Sequence, residues 1–134
     1  MKTFQHYCSG LLLAAGSWWL AAFPASAHHS FAVHFVPDSQ VTVSGVVKEF
    51  RFTNPHGVLL YETTLEDGSV LEGRAETNSP NVLRRRGWAK DSLKPGDRIT
   101  ITGFPARDID NYMRISVVEF EDGRQPLRAQ AAAD

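Results

Sequence analysis

The fold is decided by one stretch, residues 41–52, which reads VTVSGVVKEFRF. Apolar and polar residues alternate along it, which is typical of a β-strand with one buried face. The alternation changes phase at Gly45, because Val43 lies at an odd position whereas Val46 and Phe50 lie at even ones. A glycine at such a phase change predicts a bulge that bends the strand. Small barrels need a bent strand of this kind, because it must pair in both halves of the sheet.

Four more strands are predicted by alternating runs, at residues 58–66, 70–76, 98–103 and 113–121. Asp67-Gly68 predicts a tight hairpin between the first two of these runs. The KPGD sequence at residues 94–97 predicts a turn before the third. Within the last run the apolar phase changes between Val117 and Val118, which predicts a second bulge.

A short helix is predicted between the third and fourth strands. Ser79 is a helix-capping residue, and Pro80 suits the first helical turn. The arginines at residues 84–86 compensate the helix dipole at its carboxyl end, and Gly87 ends the helix.

The predicted order is therefore strand, strand, strand, short helix, strand, strand. This is the order of a mainly β fold, the five-stranded oligonucleotide/oligosaccharide-binding (OB) barrel, whose helix lies between strands 3 and 4. We assign residues 41–123 to this OB-like barrel. Residues 28–40 are predicted to be an arm or an extra strand, because apolar residues alternate from Phe31 to Phe35. The polar, alanine-rich residues 124–134 predict a flexible tail.

Residues 1–27 have the pattern of a signal peptide. Lys2 gives a positive start, an apolar run follows at residues 11–23, and a small-x-small cleavage site ends at Ala27. The apolar run is shorter than the roughly 20 residues that cross a membrane. We therefore expect cleavage after Ala27, no stable membrane span in the mature protein, and export to the periplasm. The alternative is that the segment stays uncleaved as a membrane anchor.

Composition narrows the possible functions. The chain has 14 Lys+Arg and 15 Asp+Glu, with a formal net charge of −1, which argues against nucleic acid as a partner. The one cysteine, Cys8, lies in the predicted leader, so no thiolate remains as a nucleophile or metal ligand. The sequence contains no Gly-x-Ser-x-Gly motif, and no catalytic base can be assigned to a serine. These features favour a non-catalytic protein.

The sharpest chemical feature is His28, which cleavage after Ala27 would make the amino-terminal residue. An α-amine with a pKa of about 7.7–8.0 is partly deprotonated at neutral pH. It can chelate an ion together with the imidazole of the same residue. A nitrogen-rich ligand set of this kind suits Cu(II), and it resembles the copper brace of certain secreted oxidases and copper carriers. We therefore hypothesise a copper site built on His28.

Three other histidines are candidate ligands for this ion. His56 is the preferred partner, because it lies in the NPHG turn at a rim where such barrels bind ligands. His34 would lie about 20 Å from His28 in an extended strand, and His29 would point to the opposite side. The alternative is that these histidines bind no metal, since their spacing is looser than that of a strong metal motif.

Four further residues are candidates for binding a ligand without a metal. Arg84 and Arg85 could hold an anion, although arginines at a helix end also compensate the dipole. Asn54 and Asp108 lie in predicted loops, where such side chains more often form turns. Asp108, together with Asp110, could also supply carboxylates for a cation.

Several motifs occur in an order that resembles a known family. They are HHSFA at residues 28–32, EFRFTNPH at residues 49–56, SPN at residues 79–81 followed by Gly87-Trp88, and KPGD at residues 94–97. Over essentially all of the chain after the leader, the sequence resembles proteobacterial exported proteins grouped as domain of unknown function 6152. The resemblance implies no activity, because that family is uncharacterised.

Three functions remain open at this point. The first is a non-catalytic barrel that binds Cu(II) through His28 and His56. The second is a periplasmic module that binds a small ligand or a protein without a metal, through its loops or through residues 28–36. The third is a copper oxidase, which needs an open coordination position and a substrate surface. Metal binding separates the first two, and reductant-dependent turnover would identify the third.

Overall fold

The computed structural model describes residues 28–129, with side chains from Phe31 onward. The elements are α1 (His28–His34), β1 (Val41–Arg51), β2 (Val58–Thr64), β3 (Val70–Glu76), α2 (Pro80–Arg85), β4 (Arg98–Pro105), β5 (Tyr112–Phe120) and β6 (Leu127–Arg128). The predicted signal peptide, residues 1–27, lies outside the described residues. Within the described part, neither helix has the length and apolar character needed to cross a membrane.

The first five strands close into a barrel. The sheet has the order β3-β2-β1-β4-β5-β6, and β3 also pairs with β5 in parallel. This extra pairing joins the two halves of the sheet, and α2 lies between β3 and β4 in the chain. The predicted OB-like barrel with a short helix between strands 3 and 4 is therefore confirmed.

Strand β1 bends as predicted, but the bulge is not at Gly45. Its first half pairs with β4 and its second half with β2, and the register shifts between Val47 and Glu49. Val47 is buried, whereas Val46 is only half-buried. The residues at odd positions therefore continue to face the core past the glycine. Gly45 has a different role, because a Cβ there would lie 2.5 Å from the carbonyl oxygen of Glu62.

The turn at residues 94–97 continues the bonding of β1 past its last pair with β4, beside the bulge. The Val47 N–H donates to the carbonyl of Asp97 (2.9 Å), and the Gly96 N–H donates to the carbonyl of Val47 (2.9 Å). Gly96 has φ +92°, as a type II turn requires. The Asp97 carboxylate closes the turn by accepting from the Lys94 N–H (2.9 Å) and from Arg124 (2.7 Å).

Asp97→Asn is expected to lower the free energy of unfolding at pH 7 by about 1 kcal/mol. Burial opposes ionisation of this carboxyl, but the bonds from Arg124 and Lys94 outweigh it and lower its pKa below the usual value. A lowered pKa gives stability that is present above the unfolded-state pKa and lost as the pH falls through the folded-state pKa. The difference between Asp97→Asn and the wild type should therefore shrink in acid, as measured by urea unfolding at pH 7 and pH 3.

Asp122→Asn is the matched control, because Asp122 also accepts from Arg124, from its side chain (2.8 Å) and its backbone N–H (3.1 Å), but has a more exposed side chain and makes no hydrogen bond to the 94–97 turn within the described residues. It should change stability by less than Asp97→Asn at pH 7. Equal losses in both variants would contradict the role of the 94–97 turn.

The predicted flexible tail is wrong for its described part. Leu127–Arg128 forms β6 on the edge of β5, and Ala129 is fully buried. The pairing of β4 with β5 skips Ser116, which confirms the predicted bulge in the last barrel strand. The carbonyl of this bulged residue accepts from the Ala129 N–H (2.8 Å). Residues 130–134 lie outside the description.

Of the two predicted forms of residues 28–40, an arm or an extra strand, the strand is wrong, because His28–His34 is the helix α1. Phe31 and Phe35 share a parity, as in a strand, but they are also four residues apart, which places them on one helical face. Phe31 packs on Phe104 and Phe35 on Tyr112, with ring centroids 5.4 and 5.5 Å apart. Phe35 is buried, whereas Val33 is exposed.

Helix α2 follows its predicted signals with one exception. Pro80 begins it, and Gly87 with φ +86° follows its carboxyl end. Ser79 occupies the N-cap position, but its side chain makes no capping hydrogen bond.

Candidate functional site

A cleft of about 620 Å³ lies between the arm and the barrel. The arm, the loop between β1 and β2, the loop between β4 and β5, and the outer side of the β3–β5 pair all contribute to it. Its lining residues are Phe31, His34, Phe35, His56, Glu76, Ala106, Asp108, Ile109, Tyr112 and Arg114. The cleft therefore has an aromatic wall and a polar floor.

The polar floor is a consequence of how β3 and β5 pair. Met113 and Ile115 are buried in the barrel, so alternation places Tyr112 and Arg114 on the outer side of β5. The parallel pairing sets Glu76 beside Arg114. The closure of the barrel thus brings a carboxylate, a guanidinium group and a phenol together.

Glu76 is the centre of a hydrogen-bonded group that we call the Glu76 network, made of Glu76, His56, Tyr112, Arg114 and Asn78. One Glu76 oxygen, Oε1, contacts both Arg114 Nη1 and His56 Nδ1. The other, Oε2, accepts from the Tyr112 hydroxyl. Arg114 Nη2 donates to Asn78 Oδ1. The Glu76 side chain is 14% exposed, so these partners replace most of its water.

The charges of the network follow from its burial. Burial and the hydrogen bond to Glu76 together raise the pKa of Tyr112 to about 12, so this hydroxyl stays a donor at neutral pH. Burial lowers the pKa of Arg114, and the neighbouring Glu76 carboxylate opposes that effect. Arg114 Nε is buried without a hydrogen-bond partner in the described part of the chain. The guanidinium carbon of Arg74 lies 4.7 Å from the centre of the Tyr112 ring.

His56 is the member of the network that remains accessible. Its side chain is 45% exposed, and its Nδ1 faces the Glu76 carboxylate. This contact leaves Nε2 for a ligand. A carboxylate that holds one imidazole nitrogen while the other binds an ion is the usual support of metal-bound histidines.

The structure brings three of the predicted site residues together. His34, His56 and Asp108 all line the cleft. For His28 and His29 only the backbone, at the start of α1, is described. The expected distance of about 20 Å between His28 and His34 assumed a strand, whereas a helix shortens it to about 9 Å along the axis.

The other predicted ligand-binding residues do not line the cleft. Asn54 is exposed in the same loop as His56. Arg84 lies over the ring of Phe52, 5.1 Å from its centre, and Arg85 is exposed on α2.

No three His, Cys, Asp or Glu side chains come close enough to hold a metal ion among the residues that the structure describes. The described part therefore offers His56 as a supported single ligand, with His34 and Asp108 on the same cleft. A complete metal site there needs donors from outside that part.

Sequence reasoning missed Glu76, Tyr112 and Arg114. The available signal was Arg114, a charged residue between the buried Met113 and Ile115 of a barrel strand. Such a residue must face outward, but its partner on β3 could not be identified from a local pattern.

Compared with curated proteins, the chain has no match. The model of a family of unknown function, DUF6152, matches residues 18–113, which include the arm, the first four strands and the start of β5. The match contains every lining residue of the cleft except Arg114. The chain therefore belongs to the family of unknown function DUF6152.

Proposed function

We propose that this chain is an exported, non-catalytic protein that binds Cu(II) in the cleft between the arm and the barrel. The observation that carries the proposal is the contact of His56 Nδ1 with the Glu76 carboxylate. It makes His56 the anchor ligand, with Nε2 directed to the ion.

The Glu76 network prepares His56 for this role. A carboxylate beside Nδ1 favours the tautomer with the proton on that nitrogen, which leaves the lone pair of Nε2 for a metal. Arg114 and Tyr112 fix the carboxylate itself, because each contacts one of its oxygens. The imidazole is therefore oriented before any ion arrives.

The remaining ligands come from the arm in this proposal. Helix α1 carries His34 to the same cleft. If the leader is removed after Ala27, the arm begins with the amine and imidazole of His28, about 9 Å from His34 along the helix axis. Nitrogen donors favour Cu(II), and the only cysteine, Cys8, would leave with the leader.

The test is a calorimetric Cu(II) titration of the processed protein, with its amino terminus checked by mass spectrometry. We expect one ion per chain. Glu76→Gln should weaken binding about tenfold, because it removes the support of the ligand, and His56→Ala should weaken it more. One glycine added ahead of His28 should also weaken binding, because it blocks the chelate. Electron paramagnetic resonance should show nitrogen coupling that decreases in His56→Ala.

Two matched variants control for indirect effects. Glu72→Gln changes another carboxylate of β3 that does not line the cleft, and Thr53→Ala changes an exposed residue of the His56 loop. Both should bind Cu(II) like the wild type. Full affinity in His56→Ala, or wild-type binding no tighter than that of a histidine-containing peptide, would overturn the proposal.

A second function, ligand binding without a metal, is favoured by the aromatic wall of the cleft. Phe31 and Tyr112 are half-buried and offer stacking surface beside the polar floor. In that case a periplasmic ligand would bind in the presence of a chelator, and Phe31→Ala would weaken binding more than His56→Ala.

A further inference from the structure

A second concave site lies at the mouth of the barrel, beyond the loop between β4 and β5. It is a groove of about 400 Å³ whose walls are mainly apolar. Its apolar side chains include Val41, Val43, Leu65, Leu71, Ile109 and Met113. Asp110 is its one charged lining residue within the described part.

Tyr61 provides a polar atom in this apolar groove. The side chain is 2% exposed and lies across Gly73, its partner on β3. A Cβ at position 73 would overlap the Tyr61 ring and hydroxyl, so the glycine is what lets the ring lie there. The Tyr61 hydroxyl makes no hydrogen bond to another residue in the described range 31–129, and it borders the groove.

The chemistry of the groove selects its ligand. Small-molecule sites are mostly apolar, with a few polar groups that fix orientation. A purely apolar ligand would take the Tyr61 hydroxyl away from solvent and leave it without a hydrogen-bond partner, which loses affinity. Among the described residues an anionic ligand finds no cationic side chain in the lining, and it meets the carboxylate of Asp110. Burial raises the pKa of Tyr61, so its hydroxyl keeps its proton at neutral pH.

We propose that this groove is a binding site for a small, neutral, apolar molecule that carries one hydrogen-bonding oxygen, which bonds the Tyr61 hydroxyl. The groove adjoins the cleft of the proposed copper site, with which it shares Ala106, Ile109 and Tyr112. It uses neither His56 nor Glu76.

Two fluorescent probes of nearly equal size test the proposal, 2-naphthol and naphthalene, in the presence of a chelator. The wild type should bind 2-naphthol a few-fold to about tenfold more tightly, which is the range of one neutral hydrogen bond. Tyr61→Phe should bind the two probes equally, because it removes the hydroxyl and keeps the ring. Thermal unfolding of Tyr61→Phe checks that the barrel remains folded.

A second pair of variants tests the place of binding without changing the core. Leu65 lines the groove and is 43% exposed, whereas Val70 is 60% exposed on the same hairpin and does not line it. Leu65→Asp should weaken both probes at least tenfold, and Val70→Asp should leave both unchanged. Absence of probe binding, or equal affinity of the wild type for the two probes, would overturn the proposal. Loss of Cu(II) binding in His56→Ala should leave probe binding intact, so the two proposals can fail separately.

Discussion

Replacing Trp88 with alanine is expected to lower the free energy of unfolding by about 3–5 kcal/mol. That is a large share of the 5–15 kcal/mol that typically stabilises a domain. Trp88 is 2% exposed and is among the largest fully buried side chains of the described residues. It packs against Phe50 with ring centroids 5.7 Å apart, so its removal leaves a cavity beneath the bent strand β1.

Trp88 also connects the barrel to its sixth strand. Its Nε1–H donates to the carbonyl of Arg128 (3.0 Å), which lies in β6. Trp88→Phe keeps most of the packing but loses this bond. We therefore expect it to lower the free energy of unfolding by about 1–2 kcal/mol. The difference between the two variants separates packing from hydrogen bonding.

The measurement is urea unfolding monitored by circular dichroism. Tryptophan fluorescence is unsuitable, because Trp88 is the only tryptophan after the predicted leader and both variants remove it. Truncation after Gln125 removes β6 and should make Trp88→Phe nearly neutral, because the bond to Arg128 is then already absent. An unchanged cost of Trp88→Phe in the truncated chain would contradict the link to β6. A loss under 1 kcal/mol in Trp88→Ala would contradict its place in the core.

Local sequence patterns were sufficient for the barrel because each strand carries its own alternation and each turn its own residues. The position of the β1 bulge was not local. Val46 and Val47 are adjacent and equally apolar, so alternation cannot tell which one faces inward. The distant turn at residues 94–97 decides it, through its two backbone bonds with Val47.

The arm shows where a pattern has two solutions. Spacing of four residues between Phe31 and Phe35 is compatible with one face of a strand and one face of a helix. Helical spacing lets both rings contact the barrel, at Phe104 and Tyr112. The tail was misassigned for a similar reason, because the burial of Ala129 depends on the bulged Ser116 of β5.

The candidate site was partly predictable. His56 was identified from its turn at a barrel rim, and the structure places it in the cleft. Its support could not be identified, because Glu76 and Arg114 are 38 residues apart in the chain and meet only through the parallel closure of the barrel. The residue spacing within β3 or within β5 does not predict that the two strands pair.

Replacing Phe35 with alanine is expected to release the arm while the barrel stays folded. Phe35 is 4% exposed, and its ring contacts Tyr112 and Phe31. Truncation of a buried phenylalanine costs about 3–5 kcal/mol. A seven-residue helix has little stability of its own, so docking supplies most of what holds α1 in place. The barrel core does not include Phe35, so the unfolding midpoint of the barrel should change little in Phe35→Ala.

Hydrogen exchange can detect this release residue by residue. The Val36 N–H donates to the Pro105 carbonyl (3.0 Å), and the Arg107 N–H donates to the His34 carbonyl (2.9 Å). Both amides should lose protection in Phe35→Ala, whereas an amide inside β4, such as that of Ile101, should keep it. Val33→Ala is the matched control on the same helix, because Val33 is 61% exposed, and it should leave both amides protected.

Release of the arm also tests whether the proposed copper site takes ligands from both the arm and the barrel. Phe35→Ala leaves His56 and Glu76 unchanged but releases from the barrel the helix that carries His34 and His28. Cu(II) affinity should therefore fall, because bringing the arm's ligands back to the barrel adds an ordering cost to binding. Saturating Cu(II) should in turn restore protection of the Val36 and Arg107 amides, because an ion that binds both parts favours the docked state. Unchanged affinity with the arm released would show that the ion does not bridge the arm and the barrel.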